Sequence, residues 1–237
     1  MAITRVIEQK NVLNENNEYY NTFMLQEIID RPYFKIFKVK KSKKYVLKLS
    51  NPSEILMKSF SYSLTDMTCS LNMTNITFEA DNVMLIKDHP IFTYISILKL
   101  IKSLSKQLGV LLTYNYSFSQ YDADNIIVIN NNEYLYISKE HFVPCDPTTN
   151  NITISLPFKK TNLSSPELLE IETLPCQVTM KTIYYSLTAL ILHYLFNVQT
   201  YDENLMDVLM PIKETKLYWF ILRGLKKNSK ERYLLFC

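Results

Sequence analysis

The chain has 237 residues, 47% hydrophobic and 21% charged, so it can bury a substantial core as one large domain or two small lobes. The net charge of +3 is too small to indicate nucleic-acid binding by itself, and no nucleic-acid partner is expected. Four widely separated cysteines without a CxxC pair argue against a zinc site or a disulfide framework and are typical of a reducing compartment.

The N-terminal third of the chain alternates apolar and polar residues with the period of β-strands. Ser53 stands directly before an apolar run and is placed to cap a short helix. The predicted strands cover residues 23–25, 33–39, 45–49, 76–79 and 83–86.

After Pro90 the period becomes that of a helix, with apolar residues at steps of three and four that stop at Gly109. Two short strands, residues 125–129 and 133–137, then flank a turn of three consecutive asparagines. Pro90 therefore marks the change from a β-rich to a helical region.

The last part of the chain is predicted to be mainly helical. Residues 141–165 are polar and predicted to be irregular, and strong helical stripes follow at residues 183–195 and 216–225. The aromatic segment 216–220 is expected to pack mostly inside the helical part. A β-rich third followed by a helical remainder predicts an α+β fold with two lobes.

The boundary between the two lobes is predicted near residues 87–90. Residues 1–88 would form the small β-rich lobe, with residues 1–19 as an extension, and residues 89–237 the larger helical lobe. No N-terminal signal peptide is recognised, and the longest apolar stretch is too short to span a bilayer. We therefore expect an intracellular, cytoplasmic protein without a membrane partner, with a nuclear or virion-associated location as the alternatives.

The chain contains only two glycines, Gly109 and Gly224. Glycine lets backbone N–H groups approach phosphates closely, and phosphate-binding loops depend on it. No stretch of this chain can form a Walker-type loop, a dinucleotide fingerprint or a glycine-rich flap.

Three segments of the C-terminal half resemble motifs of the protein kinase family. Residues 164–167 (Ser-Ser-Pro-Glu) resemble the Ala-Pro-Glu element, residues 185–190 resemble the start of the large central helix, and residues 222–232 resemble the pattern that ends in a terminal Arg. The resemblance implies a buried ion pair between Glu167 and Arg232 that links two helices.

Two further segments extend the resemblance toward the N-terminus. Residues 121–127 resemble the end of the kinase catalytic loop, and residues 45–48 resemble the strand that carries the Val-Ala-Ile-Lys motif. The resemblance thus covers about residues 20–237 and implies the two-lobed kinase fold. No single motif is specific, and their order and spacing carry the comparison.

The positions that would perform phosphoryl transfer hold the wrong residues. The catalytic Asp position is Gln120, which cannot accept a proton, and the catalytic-loop Lys position is Asp122. The magnesium-binding Asp position is Lys139, or Ser138 if the spacing shifts by one residue, and a lysine repels magnesium. The central-helix Asp that braces the catalytic loop is Ile183, which suggests a loop no longer held for catalysis.

Lys48 and Asn125 are the polar positions that match the family. They would form a vestigial nucleotide site, with Lys48 on the phosphates. In the alternative that we favour, Lys48 pairs with a carboxylate such as Glu54, and Asn125 satisfies its own turn.

The resemblance and its missing groups predict a pseudokinase, a kinase fold that binds a protein partner as a regulator or scaffold. No catalytic residue, metal ligand, ATP or magnesium is expected, and the partner would be an active kinase or a host signalling protein. The abundance of Asn, Ile, Lys and Tyr suggests AT-rich coding, as in large DNA viruses. The alternatives are a divergent active Ser/Thr kinase with rearranged metal carboxylates and a structural virion-associated protein.

Overall fold

The computed structural model describes residues 24–70, 72–198 and 205–233. The predicted extension at residues 1–19 lies outside this range. None of the helices within the described residues has both the length and the apolar character needed to cross a bilayer.

The N-terminal part is an antiparallel five-stranded sheet with one short helix. Its strands are β1 (Leu25–Asp30), β2 (Phe34–Val39), β3 (Lys44–Leu49), β4 (Thr65–Cys69) and β5 (Asn75–Glu79), arranged in the order β1-β2-β3-β5-β4. Helix α1 (Glu54–Phe60) connects β3 to β4, and the Ser53 side chain accepts a hydrogen bond from the Leu56 N–H, as the predicted cap requires. Strand β4 was not predicted, because its residues are mostly exposed and carry little apolar pattern.

A long helix and a small sheet lie next along the chain. Strand β6 (Val83–Leu85) precedes α2 (Tyr94–Thr113), which is followed by β7 (Tyr116–Phe118), β8 (Ile126–Ile129) and β9 (Glu133–Tyr136). Strands β6, β8 and β9 form one antiparallel sheet. The turn between β8 and β9 places Asn130 and Asn131 at positive φ, which asparagine tolerates, so the asparagine turn is confirmed.

Helix α2 does not end at Gly109 as predicted. It continues to Thr113 because Leu111, two residues further, is fully buried, and burial of an apolar side chain outweighs the weak helix propensity of one glycine. An added Cβ at Gly109 would meet no atom within 4 Å, so this glycine serves no close contact.

Residues 141–165 are not irregular throughout, which corrects the prediction. Strand β10 (Phe142–Pro144) pairs with β7, and β11 (Asn151–Ile154) pairs with β12 (Cys176–Thr179), which was predicted to be helical. These strands carry a small core of their own. Its buried residues are Val143, Cys145, Ile152, Ile154, Leu168 and Met180.

The remaining helices are short except for one central helix. They are α3 (Pro166–Leu169), α4 (Thr182–Phe196), α5 (Leu205–Val208) and α6 (Lys216–Gly224). Helices α4 and α6 approach closely at Gly224, where an added Cβ would stand 1.9 Å from Thr188 Oγ1. The segment 216–220 packs mostly inside, as predicted, since Leu217, Tyr218 and Phe220 are buried, whereas Trp219 is 47% exposed.

The main core is continuous from the N-terminal sheet through α1 and α2 to α4 and α6. Both sides of the predicted boundary near residue 88 contribute to it, so that division stays a prediction. The α+β architecture itself, β-rich at the N-terminus and mainly helical toward the C-terminus, agrees with the prediction.

Candidate functional site

Residues 119–125, between β7 and β8, form the loop that the sequence comparison places at the catalytic centre. Helix α4 braces this loop with two hydroxyl groups. Thr182 Oγ1 donates to the Ser119 carbonyl at 2.7 Å, and the Tyr121 N–H donates to Ser186 Oγ at 2.8 Å. Two hydroxyl groups of α4 thus support the loop although position 183 is an isoleucine, and the inference that the loop is not held for catalysis stays a prediction.

Gln120 is completely buried, and both ends of its carboxamide are hydrogen-bonded. Its Oε1 accepts a hydrogen bond from Ser164 Oγ at 2.6 Å, and its Nε2 donates to the Lys159 carbonyl at 2.8 Å. The same Nε2 lies 3.3 Å from His141 Nε2. Both N–H donors of this side chain thus face partners within the protein, and its buried Oε1 keeps one lone pair beyond the Ser164 bond.

His141 connects this network to the loop on its other side. Its Nδ1 lies 3.1 Å from Ser119 Oγ, and its backbone carbonyl accepts from the Ser119 N–H at 2.8 Å. Burial lowers the pKa of the His141 imidazole, although the nearby carboxylates of Glu140 and Asp122 act in the opposite direction. His141 is therefore a neutral member of a buried, uncharged network.

Asp122 and Asn125 stabilise the turn that they belong to. Asp122 Oδ1 accepts from the Asp124 N–H at 3.0 Å and Oδ2 accepts from Asn125 Nδ2 at 2.9 Å. Asn125 is buried, and its Oδ1 has no hydrogen-bond partner. The favoured interpretation, in which the Asn125 side chain satisfies its own turn, is wrong: Asp122 accepts the backbone N–H, and Asn125 donates only to the Asp122 carboxylate.

The positions that bind magnesium in the family do not form a cation site here. The Lys139 side chain is exposed, and both Asp122 oxygens are used within the turn. Across the described ranges, no three His, Cys, Asp or Glu side chains lie together as metal ligands would. The unpaired oxygen beside this turn belongs to the neutral Asn125 amide, whereas magnesium is usually held through one or two carboxylates with water and phosphate at its other positions.

The hairpin tip between β1 and β2 contacts this loop and the neighbouring Glu140. Tyr33 Oη donates to Glu140 Oε2 at 3.1 Å, and Arg31 Nη2 lies 3.7 Å from Asp124 Oδ1. Burial and the Glu140 carboxylate both raise the pKa of Tyr33. Lys87, on the connection to α2, adds a second cation 3.4 Å from Asp124. These contacts lie where a glycine-rich flap would cover phosphates.

Lys48 lies apart from this cluster. The alternate residues Leu47 and Leu49 belong to the core packed against α1, so Lys48 projects from the opposite, exposed face of the sheet. Its cross-strand neighbour is Lys35, and Glu54 pairs with Lys58 instead, at 2.7 Å. The pairing suggested for Lys48 and Glu54 is therefore wrong, and the vestigial nucleotide site stays a prediction that this exposed position does not favour.

Glu167 and Arg232 form the ion pair that the resemblance implied. The Arg232 side chain is fully buried, and both guanidinium Nη atoms contact the Glu167 carboxylate, Nη2 at 2.9 Å from Oε2. The remaining N–H groups donate to the carbonyls of Lys226, Lys227 and Lys181. All five guanidinium donors thus have an acceptor. The pair joins α3 to the segment that follows α6.

The residues that the sequence did not reveal are small hydroxyls and one histidine. Ser164 donates to Gln120 itself, Thr182 and Ser186 hold the backbone on either side of it, and His141 lies between Ser119 and Gln120. Thr182 and Ser186 stand as isolated polar residues in the apolar pattern of α4, which is the one signal that could have indicated a buried polar contact.

Comparisons with known proteins support the fold. No protein-family profile matches the chain, and no curated protein matches it by sequence. Among solved structures, 1444 chains match. One, described as "Titin kinase and its flanking domains", aligns with a TM-score of 0.56 and 14% identity over 89% of this chain and 44% of that one. The chain, which spans less than half of that structure, has a protein kinase-like α+β fold.

Proposed function

We propose that this chain is a pseudokinase, a kinase-like fold that does not transfer phosphate and acts by binding another protein. The observation that carries the proposal is Gln120. It stands at the catalytic-base position, is completely buried, and donates and accepts only within the protein.

The chemistry of phosphoryl transfer supports the same conclusion. The reaction depends on positioning and charge neutralisation by a base, a lysine and magnesium. Here the base is an amide, the loop lysine is Asp122, and the exposed Lys139 brings a positive charge where a carboxylate would hold the metal. A positioned general base alone contributes about 10²–10⁴ in rate.

We assign the binding role to exposed side chains on the surface of the fold. We place the partner among intracellular proteins, an active kinase or a signalling protein, and a viral origin with a host partner fits the composition. Trp219, 47% exposed on helix α6, is a candidate contact because tryptophan is enriched at binding hot spots. A Trp219→Ala variant should lose a partner captured by cross-linking while keeping its melting temperature.

Thermal melting with ATP plus magnesium, and with magnesium alone, tests whether the chain lacks a functional nucleotide site. A ligand at 100 times its dissociation constant would add about 2.7 kcal/mol to the stability, which raises the melting temperature visibly. We expect no shift. As a matched pair, Lys48→Ala removes the lysine of the vestigial site and Lys99→Ala removes an exposed lysine of α2.

An ATP-dependent rise in the melting temperature that Lys48→Ala abolishes and Lys99→Ala leaves intact would favour the divergent active kinase instead. Phosphate transfer to a generic protein substrate, lost in Gln120→Leu, would then overturn the proposal. Large homo-oligomers in sedimentation, with no other bound protein, would favour the structural virion-associated role.

A further inference from the structure

Residues 158–164 lie across the buried Gln120, and we call them the strap. Both peptide groups of Lys159 are held: its N–H donates to Glu140 Oε1 at 2.7 Å, and its carbonyl accepts from Gln120 Nε2 at 2.8 Å. Ser164, at the other end of the strap, donates to Gln120 Oε1. The Phe158 ring stands edge-on to the His141 imidazole, with centroids 6.2 Å apart. The strap is thus fastened at the Gln120 amide and at Glu140.

The hydrogen bonds around Gln120 assign the proton of His141. Because Gln120 Oε1 receives the Ser164 hydroxyl, Gln120 Nε2 faces both the Lys159 carbonyl and His141 Nε2 as a donor. His141 Nε2 must then be an acceptor, and the proton of the neutral ring lies on Nδ1, facing Ser119 Oγ.

A second proton on His141 has no acceptor in this arrangement. It would bring an N–H against the Gln120 NH₂ group. If the Gln120 amide rotated to offer its oxygen, that oxygen would also face the Lys159 carbonyl, and the NH₂ group would face Ser164. Neither orientation of Gln120 satisfies a positively charged His141 and the strap together.

We propose that protonation of His141 unfastens the strap from Gln120, so that residues 158–164 form an acid-sensitive element of the fold. The proposal concerns conformation and stands whether or not the chain binds nucleotide or a partner. Its consequence is exposure of the strap and of the buried loop beneath it under mildly acidic conditions.

The charged groups around His141 help to determine the pH at which its ring becomes protonated. Glu140, next along the chain, and Asp122, from the loop, favour the charged ring, whereas burial by the strap and the loop disfavours it. The Lys159 side chain projects into solvent, and Phe158 and Ser119 are uncharged. Because burial prevails, the pKa of His141 lies below its ordinary value and the ring is neutral at pH 7.

Hydrogen exchange of the intact chain at about pH 7.5 and about pH 5.5, corrected for intrinsic rates, tests the proposal. We expect the strap amides to exchange about tenfold faster, or more, at the lower pH, while the amides of α4 keep their protection. The variant His141→Gln, whose neutral oxygen can accept from Gln120, should abolish this difference, whereas His193→Gln on α4 should retain it.

A second measurement holds even if His141→Gln fails to fold. The chain has three histidines, so the ring C–H signals of the wild type can be assigned and titrated by NMR. The strap amides should move at the same pH as the His141 ring signals. Unchanged strap exchange while His141 titrates, or an equal rise in α4 and the strap, would overturn the proposal.

Discussion

Two of the buried polar clusters within the described residues differ in one respect: one is charged and the other is neutral. Around Arg232, a guanidinium with five satisfied donors joins α3, α4 and the segment after α6. Around Gln120, the loop and the strap meet through amides, hydroxyls and an uncharged imidazole. The first cluster holds the helical part together strongly. If its members separated, a buried charge would lose its partner, which is costly. The second lies at the position that the family resemblance assigns to the catalytic base, and its groups can exchange partners at lower cost.

The largest effect expected comes from breaking the charged cluster. Arg232→Ala leaves the Glu167 carboxylate without its partner and opens three backbone carbonyls, and should lower the free energy of unfolding by about 3–5 kcal/mol. Urea denaturation measures the loss. Arg223→Ala, an exposed arginine of α6, is the control and should stay within about 0.5 kcal/mol of the wild type. Equal losses in both variants would refute the role given to Arg232.

The helix contact beside the charged cluster gives the next largest effect. In Gly224→Ala the new methyl group collides with Thr188 of α4, and we expect a loss of about 1–3 kcal/mol. Gly109→Ala is the matched substitution in open space within α2, where alanine should instead add about 0.5–1 kcal/mol. Thermal melting of the two variants should move in opposite directions, and movement in the same direction would contradict the packing described here.

The neutral cluster should respond more weakly to the loss of one member. Ser164→Ala leaves Gln120 Oε1 buried without a donor, at a cost of about 1 kcal/mol. Ser61→Ala, which removes an exposed hydroxyl bonded to the Lys58 carbonyl, should cost less. A loss in Ser164→Ala as large as that in Arg232→Ala would erase the distinction between the two clusters.

The smallest expected effect is a gradual decrease of the free energy of unfolding as the pH falls. Burial lowers the pKa of His141 in the folded state, so below about pH 6.5 the unfolded chain takes up a proton that the folded chain resists. Stability is therefore full above that pH and declines as the pH falls toward the folded-state pKa. Urea midpoints measured from pH 7.5 downward should show this decline in the wild type and a smaller one in His141→Gln.

The sequence predicts the fold better than the site because the two depend on different signals. Apolar periodicity located most strands and helices, and the family resemblance located Glu167 and Arg232. Periodicity misplaced the end of α2, since a surface glycine cannot stop a helix whose next turn is buried. It also missed β12, which alternates apolar and polar residues over only four positions, too short a run to identify a strand.

Site residues were harder to predict because their partners are distant in the sequence. Gln120 was identified as a lost base, but its contacts with Lys159 and Ser164 lie about 40 residues away and leave no local pattern. Lys48 was assigned to the nucleotide site from a match of four residues, 45–48. A shift of one residue in such a match moves the side chain to the other face of the strand. The hydroxyl groups that brace the loop belong to serines and threonines, which are common in any sequence and do not indicate a site by themselves.

The pairing of Glu167 with Arg232 also has a consequence for the order of events during synthesis. The two residues are 65 positions apart, so at about 5–20 residues per second Arg232 is made roughly 3–13 s after Glu167. Until then α3 and the start of α4 lack the group that holds them together. We expect this part of the protein to complete its folding only after residue 232 has left the ribosome, which makes it a natural client of chaperones that protect nascent chains.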